Sequence, residues 1–301
     1  MIQIAALPRD NLAAGIATMV ATAAAMAFGD AVVKAMSADI GLWQLFVLRS
    51  AFALPLLALL LRTASRWRGS SRQALLWGGL RSLLLIGMWV CFYAALTMID
   101  LSTVATAYYS GPLFITLLSS RLAGEAVGWR RWLAVCTGFA GVVLMLRPGE
   151  GGLEWPVGLA VLSGLFYALA AIVTRTRLSR EHPLVLAASL NLAFLAFGVL
   201  GNLAVLAGDH PFLFAPWRPM TLQTWTAVAV LAVLIVAITA GVARAYQIAP
   251  SSIIATFDYS YLPFAALWGF VFLAAVPDAT TIAGMLLIGG AGLFILRLHR
   301  S

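Results

Sequence analysis

Asp258 stands inside an otherwise apolar stretch, "SSIIATFDYSYLPFAALWG" (Ser251–Gly269), with Tyr259 and Tyr261 beside it and Pro263 just beyond. A carboxylate at the centre of a membrane-crossing helix costs about 2.5–3.5 kcal/mol on insertion scales. Something must offset that cost. One option is a hydrated pathway in which Asp258 binds an amine or a proton. The other is a structural tie to a cation on another helix. Arg244 is the candidate, across the short connection at Ala249–Ser251. The two differ in depth by at least a turn, so such a pair needs the full reach of the arginine, or water.

Other charges fall inside apolar runs. Asp30 and Lys34 share a helix face at i, i+4 spacing, which suits an ion pair at the outer mouth. Arg49 and Arg81 are expected to snorkel toward the nearer surface, Arg49 from greater depth. Missing residues narrow the chemistry further. The chain has no GxxxxGK[ST] phosphate loop, so ATP is not expected as the driver. His182, His210 and His299 fall in loops or at a helix end, with no HExxH and no Cys/His cluster. No histidine in a span can activate a serine. Neither an enzyme nor a cofactor or metal site is expected.

The elements that carry these residues follow from composition. The 301 residues are 62% hydrophobic and 10% charged, far too apolar to cover a soluble domain. The formal charge of +8 does not point to nucleic acid, because the basic residues form short clusters between apolar runs. Cys91 and Cys136 lie inside such runs and read as small core residues. Met1–Asn11 leads directly into a full-length apolar run, so no cleavable signal is expected.

Ten runs approach the roughly 20 apolar residues that a spanning helix needs. They are Leu12–Lys34, Leu42–Leu61, Gln73–Leu96, Leu101–Ser120, Arg131–Leu146, Pro156–Thr174, Pro183–Ala207, Leu222–Tyr246, Ser251–Ala275 and Thr281–Leu298. Only a tight turn at Thr97–Asp100 separates the third from the fourth. With the N-terminus inside, fourteen basic residues face the cytoplasm: Arg9, Arg62, Arg66, Arg68, Arg72, Arg121, Arg130, Arg131, Arg175, Arg177, Arg180, Arg244, Arg297 and Arg300. Only Lys34, Arg147 and Arg218 face outward. That asymmetry fixes the expected orientation, with both termini cytoplasmic. Trp67, Trp129, Trp155 and Trp217 lie at span ends and fit an interfacial belt.

An internal repeat is also visible. Ser102–Ser120 can be laid on Ile253–Val271 at an offset of 151, matching Tyr108 with Tyr259 and Pro112 with Pro263. The same offset matches Gly138 with Gly289 and Gly141 with Gly292. A weaker offset of 143 pairs Gly15 with Gly158 and Lys34 with Arg177. The chain therefore divides into halves 1–150 and 151–301, each with five spans. An odd number of spans inverts the second half relative to the first, an arrangement common in secondary transporters. Pro112 and Pro263 each remove a backbone donor, which suits hinges. Ala134 and Gly138 have the small-xxx-small spacing of close helix packing.

This layout of ten helices in a five-plus-five inverted repeat, with glycine-rich fifth and tenth helices, resembles the EamA-type branch of the drug/metabolite transporter superfamily. Within it the chain is similar to YddG-type exporters of aromatic amino acids. The resemblance implies a cavity ringed by helices one, three, four, six, eight and nine, and movement of metabolites out of the cytoplasm by alternating access. It places Trp89, Phe92, Tyr93, Tyr108, Tyr109, Phe166, Tyr167, Tyr259 and Tyr261 on cavity helices. Aromatic rings there can stack on planar solutes or attract cations. Substrate contacts are expected from Trp89, Tyr93, Tyr108, Tyr109, Tyr167, Asp258 and Tyr259, with Tyr108 and Tyr259 foremost because the repeat makes them equivalent. The implied partners are a small-molecule solute, the lipid bilayer of a bacterial-type inner membrane and, as a coupling candidate, protons. Organic cations or drugs are the rival substrates. A receptor or scaffold that transports nothing is the rival outside transport.

Overall fold

A computed structural model describes residues 11–36, 40–63, 71–96, 98–99, 101–148, 155–204, 217–273 and 276–298. Of the residues singled out above, Arg9, Arg66, Trp67, Arg68, Thr97, Asp100, His210, His299 and Arg300 lie outside these, as does the side chain of Lys34.

The described residues form twelve helices: α1 (Leu12–Met36), α2 (Leu42–Thr63), α3 (Arg72–Leu96), α4 (Leu101–Tyr108), α5 (Gly111–Leu122), α6 (Trp129–Leu146), α7 (Trp155–Arg177), α8 (Pro183–Ala204), α9 (Leu222–Ile248), α10 (Ser251–Asp258), α11 (Tyr261–Leu273) and α12 (Ala279–Leu298). Eight are long and apolar enough to cross a membrane. They leave leucines such as Leu76, Leu222 and Leu286 fully outward-facing, as lipid rather than water requires. This is a multi-pass membrane protein.

The fourth and ninth expected spans are each broken in two. Pro112 has no N–H for the carbonyl of Tyr108, and Pro263 none for that of Tyr259. In each case the helix stops before the proline instead of bending at it. Ser110 Oγ donates to Ala107 O at 2.6 Å, and Ser260 Oγ donates to Phe257 O at 2.6 Å. A new helix then starts with the proline in its first turn, where the missing donor costs nothing. The freed carbonyl of Tyr108 runs against α7 at Gly164, where a Cβ would stand 2.6 Å from that oxygen.

Packing follows a swapped scheme. α1 lies on α9 and α3 on α7, while α2 pairs with α8 and α6 with α12. The glycines of α6 and α12 serve this contact, since a Cβ on Gly141 would stand 2.7 Å from the Gly284 carbonyl oxygen. Gly292, which the sequence offset matches to Gly141, instead faces the Phe257 ring, 3.1 Å from a Cβ placed there, so the close approach uses Gly284. Four helices begin at residues 72, 101, 111 and 129, and four others at 222, 251, 261 and 279, a constant step of 150. By helix ends, then, Tyr109 and Ser110 correspond to Tyr259 and Ser260, and Asp258 corresponds to Tyr108.

Candidate functional site: a carboxylate among tyrosines

Asp258 is the last residue of α10. A carboxylate is disfavoured at a helix C-terminus, where the backbone dipole is negative. Two hydroxyls compensate. Tyr246 Oη of α9 donates to Oδ2 at 2.5 Å, and Tyr167 Oη of α7 lies 3.0 Å from Oδ2 and 3.2 Å from Oδ1. The cation considered from the sequence is not there: Arg244 is exposed and makes no described contact with Asp258. Arg244 and Tyr246 lie two residues apart on α9 and so point to nearly opposite sides of the helix: Arg244 faces outward, and the buried Tyr246 faces Asp258. Asp258 is half-buried.

The rings continue from there. Tyr108 packs on Tyr167 at 6.1 Å, on Tyr109 at 5.3 Å and on Phe92 at 5.5 Å between centroids. Tyr109 in turn meets Tyr261 at 6.1 Å, and Tyr261 Oη donates to Asp30 Oδ2 at 2.7 Å. A line of tyrosines thus connects Asp258 to Asp30, and both breaks lie along it. Trp89 stacks on Tyr93 at 5.3 Å. These two rings also line a separate cavity of about 160 Å³, with Leu42, Trp43 and Phe46 of α2.

Two expectations shift. Tyr259 is 0% exposed, its ring pressed against α6 where a Cβ on Gly138 would stand 2.5 Å away. It packs α10 onto α6 and touches the line of rings only at Tyr109, at 6.2 Å between centroids. Pro112 is likewise buried. The outer-mouth reading of Asp30 gains a partner, Tyr261, that helical spacing could not show. Arg81 does not snorkel: it is 2% exposed and its Nε donates to Thr174 Oγ1 of α7 at 2.8 Å. Tyr246 was missed, because nothing in its local sequence separates it from other span tyrosines.

A second network closes the end of the bundle where α1 begins and α12 finishes. Glu125, after α5, accepts from Ser251 N (2.6 Å), Ser252 N (3.1 Å) and Ser252 Oγ (2.8 Å), capping α10. Arg175 Nε lies 3.9 Å from Glu125, with only 2% and 6% of the two side chains exposed. Arg175 Nη1 also donates to Gln247 O at 3.0 Å, and Gln247 Nε2 donates to Leu178 O and Glu181 O.

Comparison with known proteins bears on what such a site serves. The profile of the EamA-like transporter family matches residues 13–147. A riboflavin transporter of Rhizobium johnstonii is 30% identical, over 87% of this chain and 81% of that protein. The chain belongs to the EamA-like transporter family. Other relatives are similar over most of their length. The pseudopaline exporter CntI of Pseudomonas aeruginosa is 27% identical, over 93% of this chain and 94% of its own. An S-adenosylmethionine uptake transporter of Rickettsia prowazekii is 24% identical, over 72% and 70%. A solved structure superposes with a TM-score of 0.75 at 20% identity, covering 96% of this chain and 97% of the other, and shares the fold. Membership makes this chain a small-metabolite transporter. The narrower likeness to aromatic amino-acid exporters is not what the names of these three relatives carry.

Proposed function

We propose that this transporter moves aromatic and other bulky amino acids out of a bacterial cell across the inner membrane, by alternating access of two inverted five-helix halves, 1–150 and 151–301. In this reading α4 with α5, and α10 with α11, complete ten spans. The constant step of 150 between helix starts supports it, as does the exchange of partners between halves. Both termini are cytoplasmic, in keeping with the clustering of Arg72, Arg121, Arg130, Arg131, Arg175, Arg177 and Arg180 at the closed end.

The observation that carries the proposal is Asp258, held by Tyr167 and Tyr246 at a helix break and continued by tyrosines to the other break. Broken helices place binding groups at the midplane of secondary transporters, and tyrosine faces receive planar side chains. Relatives named for riboflavin, pseudopaline and S-adenosylmethionine support a small metabolite as cargo. The exposed Asp30 and the half-buried Asp258 favour organic cations as the second reading.

The test is exchange flux in proteoliposomes preloaded with unlabelled amino acid and given labelled phenylalanine, with and without a proton gradient, for wild type and Asp258→Asn. Saturable exchange, lost in a folded mutant, is expected. Flux of organic cations without flux of any amino acid would overturn the substrate assignment. An unchanged rate in Asp258→Asn would remove that residue from the pathway.

A further inference from the structure

Arg49 has a task that the closed part of the bundle does not supply. It lies on α2, 8% exposed, and its Nε and Nη2 are buried without a hydrogen-bond partner. Its guanidinium carbon stands 5.0 Å from the Phe194 ring centroid and 5.4 Å from that of Phe46. The rings hold the cation by its faces and leave donors of its planar edge unused. An uncompensated buried guanidinium is expensive, so a helix that merely needed packing would not keep one here. The acid within electrostatic reach is Asp30 of α1, with the Tyr93 hydroxyl also near. Yet Asp30 and Arg49 form no direct ion pair among the described residues. Asp30 is exposed instead, with Tyr261 on one oxygen.

A carboxylate acceptor and a forked donor, near each other and unjoined, suit a ligand that carries both charges. We infer that Arg49 and Asp30 form a zwitterion subsite, in which Arg49 takes the carboxylate of the solute and Asp30 its ammonium group. The guanidinium fork matches a carboxylate with two parallel hydrogen bonds. The aromatic cavity lined by Phe46, Trp89 and Tyr93 shares the Phe46 ring with the Arg49 cation, so a zwitterion with a ring-bearing side chain fits its surroundings. The subsite lies beyond the central tyrosines, on the side away from the Glu125 network. Its inference rests on the transport reading above, but not on Asp258.

Flux should be measured in proteoliposomes for L-phenylalanine, for phenylalaninamide, which lacks the carboxylate, for 3-phenylpropionate, which lacks the ammonium group, and for riboflavin as an uncharged solute. Wild type is expected to prefer L-phenylalanine. Arg49→Gln should raise its half-saturation about tenfold or more and erase the preference over the amide. Asp30→Asn should erase the preference over the propionate. Arg49→Lys should recover only part of the loss, because a point charge cannot reproduce the fork. Arg49→Met should melt no lower than wild type, since it removes an unpaired buried charge. A merely structural Arg49 would instead lower the melting temperature on substitution and depress every solute alike, which overturns the proposal. Riboflavin flux without L-phenylalanine flux would also overturn it while leaving transport intact. No flux of any solute by folded protein would overturn both.

Discussion

The two ends of the helix bundle are closed by different means. At the end bearing the arginine clusters, α5 packs on α10, and a buried carboxylate caps the second helix while facing a buried guanidinium. At the opposite end, α4 and α11 do not pack on each other comparably among the described residues. There Asp30 is exposed, joined to Tyr261 by one hydrogen bond, and the Arg147–Asp278 pair lies on the surface with about half of each side chain exposed, at 53%. One end is therefore latched by groups that have lost water and depend on one another. The other is held by contacts that water can replace. In the proposed rocking of the two halves, the resistance would reside in the low-dielectric latch, whose partners cannot be exchanged for solvent.

The comparison breaks most sharply at Glu125. Glu125→Ala leaves Arg175 buried without its acid and α10 without its cap, so about 3–5 kcal/mol is expected to be lost from the closed arrangement. In a background lacking Cys91 and Cys136, a cysteine replacing Ile253 should then become open to a polar alkylating reagent. Continued protection of that cysteine would mean the latch is elsewhere. Tyr246→Phe removes the 2.5 Å bond from a buried hydroxyl to the half-buried Asp258 carboxylate. A loss of about 1.5–3 kcal/mol, read as melting in detergent, is expected for a hydrogen bond to a charged group.

The exposed end should respond less. Tyr261→Phe removes a similar bond, but water can replace it, so about 1 kcal/mol or less is expected; a loss matching that of Tyr246→Phe would erase the contrast between ends. Arg147→Ala is expected to leave melting within scatter, because exposed pairs are screened. Arg147 and the Thr281 backbone hold the Asp278 carboxyl below the usual carboxylate range. Any contribution from the pair is then complete above the ordinary carboxylate value and fades only as pH falls through the lowered one. Melting curves from pH 8 to 6 should therefore superpose for wild type and mutant in their difference. A difference that grows as the pH drops across this window would contradict that sign.

Much of the fold was legible because its causes are local. Long apolar runs had to be helices with their backbone groups satisfied internally, and the helix bounds fall within a few residues of the runs drawn from sequence. Pro112 and Pro263 announced two interruptions. Sequence matching slipped by one residue in the repeat, because the prolines align at 151 while the helix ends follow 150. That slip put Tyr108 in the place of Tyr109 as the counterpart of Tyr259.

Composition and apolar runs alone marked a basic, helical membrane protein, and Asp258 stood out as a residue needing a reason. Periodicity, composition and proline act along the chain, so they can be read from it. Only the tertiary structure decided the partners: Tyr167 and Tyr246 for Asp258, Tyr261 for Asp30, Glu125 for the start of α10, and no hydrogen-bond partner for two nitrogens of Arg49. These contacts join residues from different helices at matching depth. Which side chains meet depends on how the helices are rotated and crossed, and packing among all of them sets that, not the sequence of any one.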